Sequence, residues 1–142
     1  MGKVWYVDSS VILRALINDS VAAQAWFQTC QINGDEFYGS RMVELEVRRV
    51  VHNAGASQNK AGEYLDAMHL VAVTEQLIDD AIGLTPPLGA ADSLHVATAQ
   101  LLAPLGIVVA THDAQMASAI RVLGTLSVHD PVTDDPRRPA VT

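Results

Sequence analysis

Val4-Trp5-Tyr6-Val7-Asp8-Ser9-Ser10 is a short apolar run, rich in β-branched and aromatic types, that ends on a carboxylate and two hydroxyls. Such a run without polar alternation suits a strand buried on both faces, as in a parallel sheet. Ser9 or Ser10 then caps a helix reaching about Ile17, with Asp8 at the junction. The same pattern recurs far along the chain. Residues 107–110, Ile-Val-Val-Ala, are the most strand-like run of all; Thr111-His112-Asp113 closes them, and 114–123 has the composition of a helix stopped by Gly124.

The stretch between fills in with alternating elements. Ser20 caps a helix over 21–31, and Asn33-Gly34-Asp35 is a turn signal before a short strand at 36–39. Ser40 caps a helix whose apolar positions Met42, Val43, Val47, Val50 and Val51 recur at helical spacing, ending near Asn53-Ala54-Gly55. A further helix follows from Ser57, a buried strand is expected at 70–73, and Thr74 caps a helix over 75–82 that stops before Pro86-Pro87. Residues 90–103 are apolar nearly all round, the mark of a helix packed deep in the fold, and Pro104 and Gly106 end it. A last short strand is expected at 126–128. Repeated strand–helix units imply parallel strands joined by right-handed crossovers, hence an α/β domain of three layers, α/β/α, around a central parallel sheet. That domain is expected over residues 1–130. The Pro- and charge-rich residues 131–142 read as a loose C-terminal tail.

Composition sets the limits. A chain of 142 residues with 49% hydrophobic content is one compact domain by the usual prior of roughly 100–200 residues. Cys30 is the only cysteine, so no intramolecular disulfide forms, in keeping with a reducing cytoplasm, and its expected role is packing. Neither a secretory signal nor a membrane span is indicated. The net charge of −7 argues against holding nucleic acid by broad electrostatic attraction. A divalent cation would supply another handle, since it bridges carboxylates to phosphate oxygens.

Four acidic residues stand out. In open parallel α/β sheets ligands bind beyond the carboxyl ends of the strands, and Asp8 and Asp113 each follow a strand and precede a helix there. Asp92 lies near the start of an otherwise apolar helix, and Glu46 lies among Met42, Val43, Val47 and Val50, whereas Glu44 shares a more solvated face with Ser40, Arg48 and Val51. Carboxylates buried together either raise one another's pKa or demand a cation, and oxygen-only ligands favour Mg²⁺ or Mn²⁺. Ions so held activate water and neutralise charge in phosphodiester cleavage, with no side-chain nucleophile required. Ser9, Ser10 and Thr111 sit beside these acids and suit hydrogen bonds to them.

Each acid also has a plain account. Asp8 and Asp113 suit helix caps, Asp92 suits a cap of its own helix, and Glu46 suits an exposed pair with Arg48 or Arg49. His95, three residues after Asp92, reads as a core histidine bonded to backbone and is left out of the site. Arg48, Arg49 and His52 read as a solvated helix face, and Trp26, Phe27, Tyr64, Leu65 and Met68 as core.

Tyr6-Val7-Asp8-Ser9-Ser10, SRMVELEVRR over 40–49, ADSLHVATA over 91–99 and VVATHD over 108–113 together resemble the PIN-domain family, and within it the VapC-type toxins. The likeness runs from about residue 4 to the final strand. It implies a Mg²⁺ or Mn²⁺ site, ribonuclease activity on an RNA substrate, a homodimer, and inhibition by a small cognate VapB-type antitoxin, seated in a groove near the Trp26 and Tyr64 patch. By position, Asp8, Glu46, Asp92 and Asp113 match the family's catalytic and metal-binding acids. Glu46 is preferred to Glu44 because the family has glutamate, a small aliphatic and then arginine, as in Glu46-Val47-Arg48. Ser93 replaces the usual alanine, and Leu88-Gly89-Ala90 lacks the basic residue often found there. Two other readings remain open: a non-catalytic PIN-like binding module with a degenerate acidic cluster, and a flavodoxin-like nucleotide or phosphate protein, which lacks support in the form of a glycine-rich loop.

Overall fold

The structure is a computed structural model that describes residues 2–131. The expected tail thus lies outside the described residues apart from Pro131. In chain order the elements are β1 (Val4–Val7), α1 (Ser9–Leu16), α2 (Val21–Ile32), β2 (Glu36–Ser40), α3 (Arg41–Asn53), α4 (Gln58–Asp66), β3 (Met68–Val71), α5 (Glu75–Ile82), α6 (Ala90–Leu101), β4 (Val108–Ala110), α7 (Ala114–Leu123) and β5 (Ser127–His129), with a 3-10 turn at Ala103–Leu105 before β4.

All strand pairs are parallel, and the order is β3-β2-β1-β4-β5. The chain therefore grows outward from β1 through β2 to β3, then returns to lay β4 and β5 on the other side. The reversal falls between β1 and β4, where Trp5 pairs with Val108 and Val7 with Ala110. A reversal of this kind opens a crevice at the carboxyl ends of the two strands. The sheet thus places the end of β1, and with it Asp8, at the crevice.

Pleating sends successive β1 residues into different layers. Trp5 and Val7 join a core with Phe37 and with Val11, Ile12, Phe27, Val43, Val47, Ala61 and Leu65 from α1 to α4. Tyr6 faces the other way, with Val109, Val96, Met116 and Ile120 beneath α6 and α7. Helices on both faces make the three layers read from the sequence. They also explain why β1 and β4 read as continuous apolar runs.

The helix starts follow local chemistry. Ser20, Ser40, Ser57 and Thr74 each accept a backbone N–H in the first turn of the helix they precede, at Ala23, Met42, Lys60 and Leu77. Gly124, at φ 70°, ends α7 in the left-handed region that only glycine occupies cheaply.

Some elements depart from expectation: α1 begins at Ser9 itself, with Asp8 and neither serine at its N-cap position. The strand expected at 70–73, buried on both faces, runs instead from Met68 to Val71 and lies at the sheet edge, partly open to solvent. Its register is set by pairing with β2, Phe37 opposite Met68 and Ser40 opposite Val71. Apolar content pointed to Val73, but backbone pairing decides where a strand lies. The last strand shifts by one residue, to Ser127–His129, and α6 ends at Leu101.

Candidate active site

The crevice between β1 and β4 is built first by Asp8, which is 4% exposed. Its backbone N–H donates to Ala110 O at 3.0 Å, continuing the β1–β4 ladder. Its Oδ2 accepts from Ser10 Oγ at 2.7 Å and Thr111 Oγ1 at 2.9 Å. Asp8 stands where a cap of α1 belongs, yet its side chain caps nothing. Helix capping therefore does not account for it.

Asp113 does cap. Its Oδ1 accepts from the backbone of Gln115 at 2.9 Å and of Met116 at 3.1 Å. Two hydroxyls tie its loop to Asp8: Thr111 Oγ1 accepts from Asp113 N at 3.0 Å, and Ser10 Oγ accepts from His112 N at 3.1 Å. Each hydroxyl donates to Asp8 while accepting from the loop, so β1 and β4 are locked at their ends. His112 is held in turn by Asp130, 2.6 Å from its Nδ1, and burial keeps its pKa below the ordinary value although Asp130 pulls the other way.

Asp92 enters from the first turn of α6, whose N-cap position is Gly89. Burial, then repulsion from Asp113 and Asp8, raises its pKa to about 6, with His95 opposing. When protonated, Asp92 also shares a hydrogen bond with Asp113, which pushes in the same direction. Asp8 and Asp113, distant from Asp92 in sequence, thus both act on it across the crevice.

Glu46 approaches from α3, and its partner is His95 rather than Arg48 or Arg49. Glu46 Oε1 lies 2.6 Å from His95 Nε2. Arg48 instead bonds Gln58 at 3.0 Å, and Arg49 reaches Asn53 at 3.5 Å. Glu44 pairs with Arg41 at 2.8 Å and lies 3.9 Å from Arg48. The two glutamates are similarly exposed, 26% for Glu44 and 30% for Glu46, so partners and not burial tell them apart. Glu44 serves the basic face of α3, and Glu46 the crevice.

His95 is the residue that sequence reasoning set aside. It is buried, but its ring bonds side chains and not the backbone: Nδ1 lies 2.7 Å from Tyr6 Oη, and Nε2 lies 3.9 Å from Asp8 Oδ1 besides its contact with Glu46. Burial alone would lower its pKa, yet the Glu46 hydrogen bond and the carboxylates of Asp8, Glu46 and Asp92 outweigh burial and raise it. In the imidazolium form Nε2–H donates to Glu46 and Nδ1–H to Tyr6. The available signal was spacing: His95 is three residues after Asp92, hence on the same helical face.

The donors of the crevice are all carboxylate oxygens, a set that suits Mg²⁺ or Mn²⁺. The repulsion that Asp113 and Asp8 exert on Asp92 marks a place where positive charge would relieve it. Among the described residues no three His, Cys, Asp or Glu groups already stand in an arrangement that would hold a metal ion. No helix among them is long and apolar enough to cross a membrane.

With this geometry in hand, comparison with known proteins is direct. Residues 5–121 match the PIN domain family. Ribonuclease VapC46 of Mycobacterium tuberculosis is 33% identical over 124 residues, which cover 84% of this chain and 92% of that protein. Among solved structures, VapBC2 from Rickettsia felis, bound to a DNA fragment from its promoter, superposes with a TM-score of 0.67 at 11% identity, over 89% of this chain and 98% of that one. VapBC-1 from nontypeable Haemophilus influenzae gives 0.65 at 17% identity, over 90% and 98%. At such identities the structures speak for the fold, while the family match and the mycobacterial relative span most of the sequence. The chain belongs to the PIN-domain family.

Proposed function

We propose that this protein is a Mg²⁺-dependent endoribonuclease, the toxin half of a type II toxin–antitoxin pair. The observation that carries the reading is the placing of Asp8 and Asp113 at the sheet's reversal, close enough to Asp92 to raise its pKa, in a family whose relative is named a ribonuclease. Asp8, Asp92, Asp113 and Glu46 would hold the ion, with Mn²⁺ as a substitute. A bound divalent cation supplies an activated water and neutralises charge on the scissile phosphate and leaving oxygen.

The chain's own residues prepare the site. Ser10 and Thr111 hold one oxygen of Asp8, and the Gln115 and Met116 amides hold one oxygen of Asp113, so both carboxylates are oriented before any ligand arrives. No serine, threonine or cysteine nucleophile is needed for hydrolysis by water. The expected partner is a VapB-type antitoxin, in line with the VapBC complexes that share the fold. Its place is the groove of about 190 Å³ between α2 and α4, floored by Phe27, Phe37 and Tyr64. We place the protein in the cytoplasm as a homodimer.

The test uses purified wild type, Asp8→Asn and Asp92→Asn on a structured RNA, with Mg²⁺ and with EDTA. Cleavage by the wild type should require the metal and fall at least about 100-fold in each variant, the equivalent of about 2.7 kcal/mol in barrier. Retained activity in either folded variant would sink the assignment. A non-catalytic module is the second reading, favoured by the lack of a ready-made metal-holding cluster among the described residues. A wild type that cleaves nothing in Mg²⁺ or Mn²⁺ would leave that reading standing.

A further inference from the structure

Resting on the metal-dependent reading of the crevice, we propose that His95, held by Tyr6, is its positioning residue: it fixes one oxygen of Glu46 and sets that carboxylate beside Asp8. The arrangement begins in the sheet. Ser40 N–H donates to Tyr6 Oη at 3.3 Å, and that oxygen lies 2.7 Å from His95 Nδ1. The far side of the ring lies 2.6 Å from Glu46 Oε1 and 3.9 Å from Asp8 Oδ1. One imidazole therefore joins β1, the middle of α3 and α6 at the point where their acids meet.

Packing does not explain this residue. Tyr6 is fully buried and His95 is 1% exposed, so both carry polar atoms into a space where apolar side chains would cost less. Tyr6 Oη links the Ser40 backbone to His95, and the far ring nitrogen reaches the crevice. Both ring nitrogens are committed, and neither goes to the backbone of α6. The carboxylates are held in a similar way. Asp8 has Oδ2 taken by Ser10 and Thr111, Glu46 has Oε1 taken by His95, and Asp113 has Oδ1 taken by backbone amides. At least one oxygen of each is thus held by the protein. Ser10, Thr111 and the amides were legible as helpers of Asp8 and Asp113; His95 is the corresponding helper for Glu46, whose own helix offers it no hydrogen bond among the described residues.

The experiment measures Mn²⁺ affinity of the full chain by calorimetry, alongside RNA kinetics, in Tyr6→Phe, His95→Gln and His95→Leu. His95→Leu should weaken Mn²⁺ binding by about 10-fold or more, the range found when partners of metal-binding side chains are lost. His95→Gln keeps an N–H donor near the position of Nε2 and should fall between Leu and wild type. Tyr6→Phe should give a smaller loss in the same direction. The decrease in RNA cleavage should appear in kcat, with KM for RNA nearly unchanged, because the ring does not touch the surface where RNA lies. Folded His95→Leu with wild-type Mn²⁺ affinity, or His95→Gln no better than His95→Leu, overturns the proposal. If His95→Leu does not fold, the nearly isosteric Tyr6→Phe decides, and unchanged Mn²⁺ affinity there overturns it too. A wild type that binds Mn²⁺ but cleaves no RNA defeats the ribonuclease reading while the Mn²⁺ comparison still decides the role of His95. A wild type that binds no Mn²⁺ defeats both.

Discussion

Asp92 carries the clearest electrostatic signature among the four acids. Its pKa of about 6 stands above the ordinary 3.8 because it is partly buried and faces Asp113 and Asp8. The folded state therefore holds the Asp92 proton more tightly than the unfolded chain does. The stabilising contribution of protonated Asp92 is complete below the unfolded value and is lost as pH rises through the folded one. Above that, an ionised Asp92 repels its neighbours, and removing its charge should help. In metal-free buffer, Asp92→Asn should gain melting temperature relative to wild type as pH rises from 4.5 to 7.5, with most of the change complete soon after pH 6. Thermal melts at four or five pH values check this. A gap that stays constant, or that closes with rising pH, would show that Asp92 does not face the other acids. Because Asp92 keeps substantial solvent contact, screening will moderate the size of the gap without altering its sign.

Elements show how one residue type plays two parts. Asp8 and Asp113 both follow a buried strand and precede a helix, so their sequence surroundings are alike, and a capping account fits either. Only Asp113 caps, through Gln115 and Met116, while Asp8 gives Oδ2 to Ser10 and Thr111. Asp113→Ala should therefore lose about 1 kcal/mol of stability with the cap of α7. Asp113→Asn, which can still accept those amides, should lose far less, and Asp8→Asn should leave α1 intact. Urea denaturation of the three variants measures this; equal losses in Asp113→Ala and Asp113→Asn would contradict it. The strands and helix starts were legible in sequence because apolar runs, serine caps and glycine stops are local signals. The position of β3 was not, since it depends on the β2 partner that sets its register. In the crevice, Asp8 and Asp113 could be placed from topology alone, for both terminate strands of a parallel sheet. His95 was missed because its meaning lies in Tyr6 and Glu46, 89 and 49 residues away. Glu46 was separated from Glu44 by helix face and by a family likeness; the difference in solvation did not hold, and their partners tell them apart.

At the scale of the whole molecule the charge balance constrains how nucleic acid can be held. The chain carries a net charge of −7, and its crevice is lined with carboxylates. Among the described residues a basic face lies on the outer side of α3, where Arg41, Arg48, Arg49 and His52 border an open groove, with Glu44 drawing Arg41 and Arg48 together. Attraction to phosphates falls steeply with salt when it comes from side-chain cations, each contact displacing counterions from the nucleic acid. Coordination of a phosphate oxygen by a divalent ion held on carboxylates is a local bond and reverses the sign of charge where it acts. The two sources of affinity therefore separate in a binding experiment. With Ca²⁺, an oxygen-binding divalent cation, at about 150 mM monovalent salt, Asp92→Asn and wild type can be compared for RNA affinity against the same proteins in EDTA. Wild type should bind RNA at least about 10-fold more tightly in Ca²⁺ than in EDTA, a difference of about 1.4 kcal/mol. Asp92→Asn should lose most of that gain. Equal wild-type affinity in the two buffers, falling steeply with added salt and abolished by Arg48→Gln with Arg49→Gln, would place the RNA on the basic face of α3 and leave the acidic crevice without a part in binding.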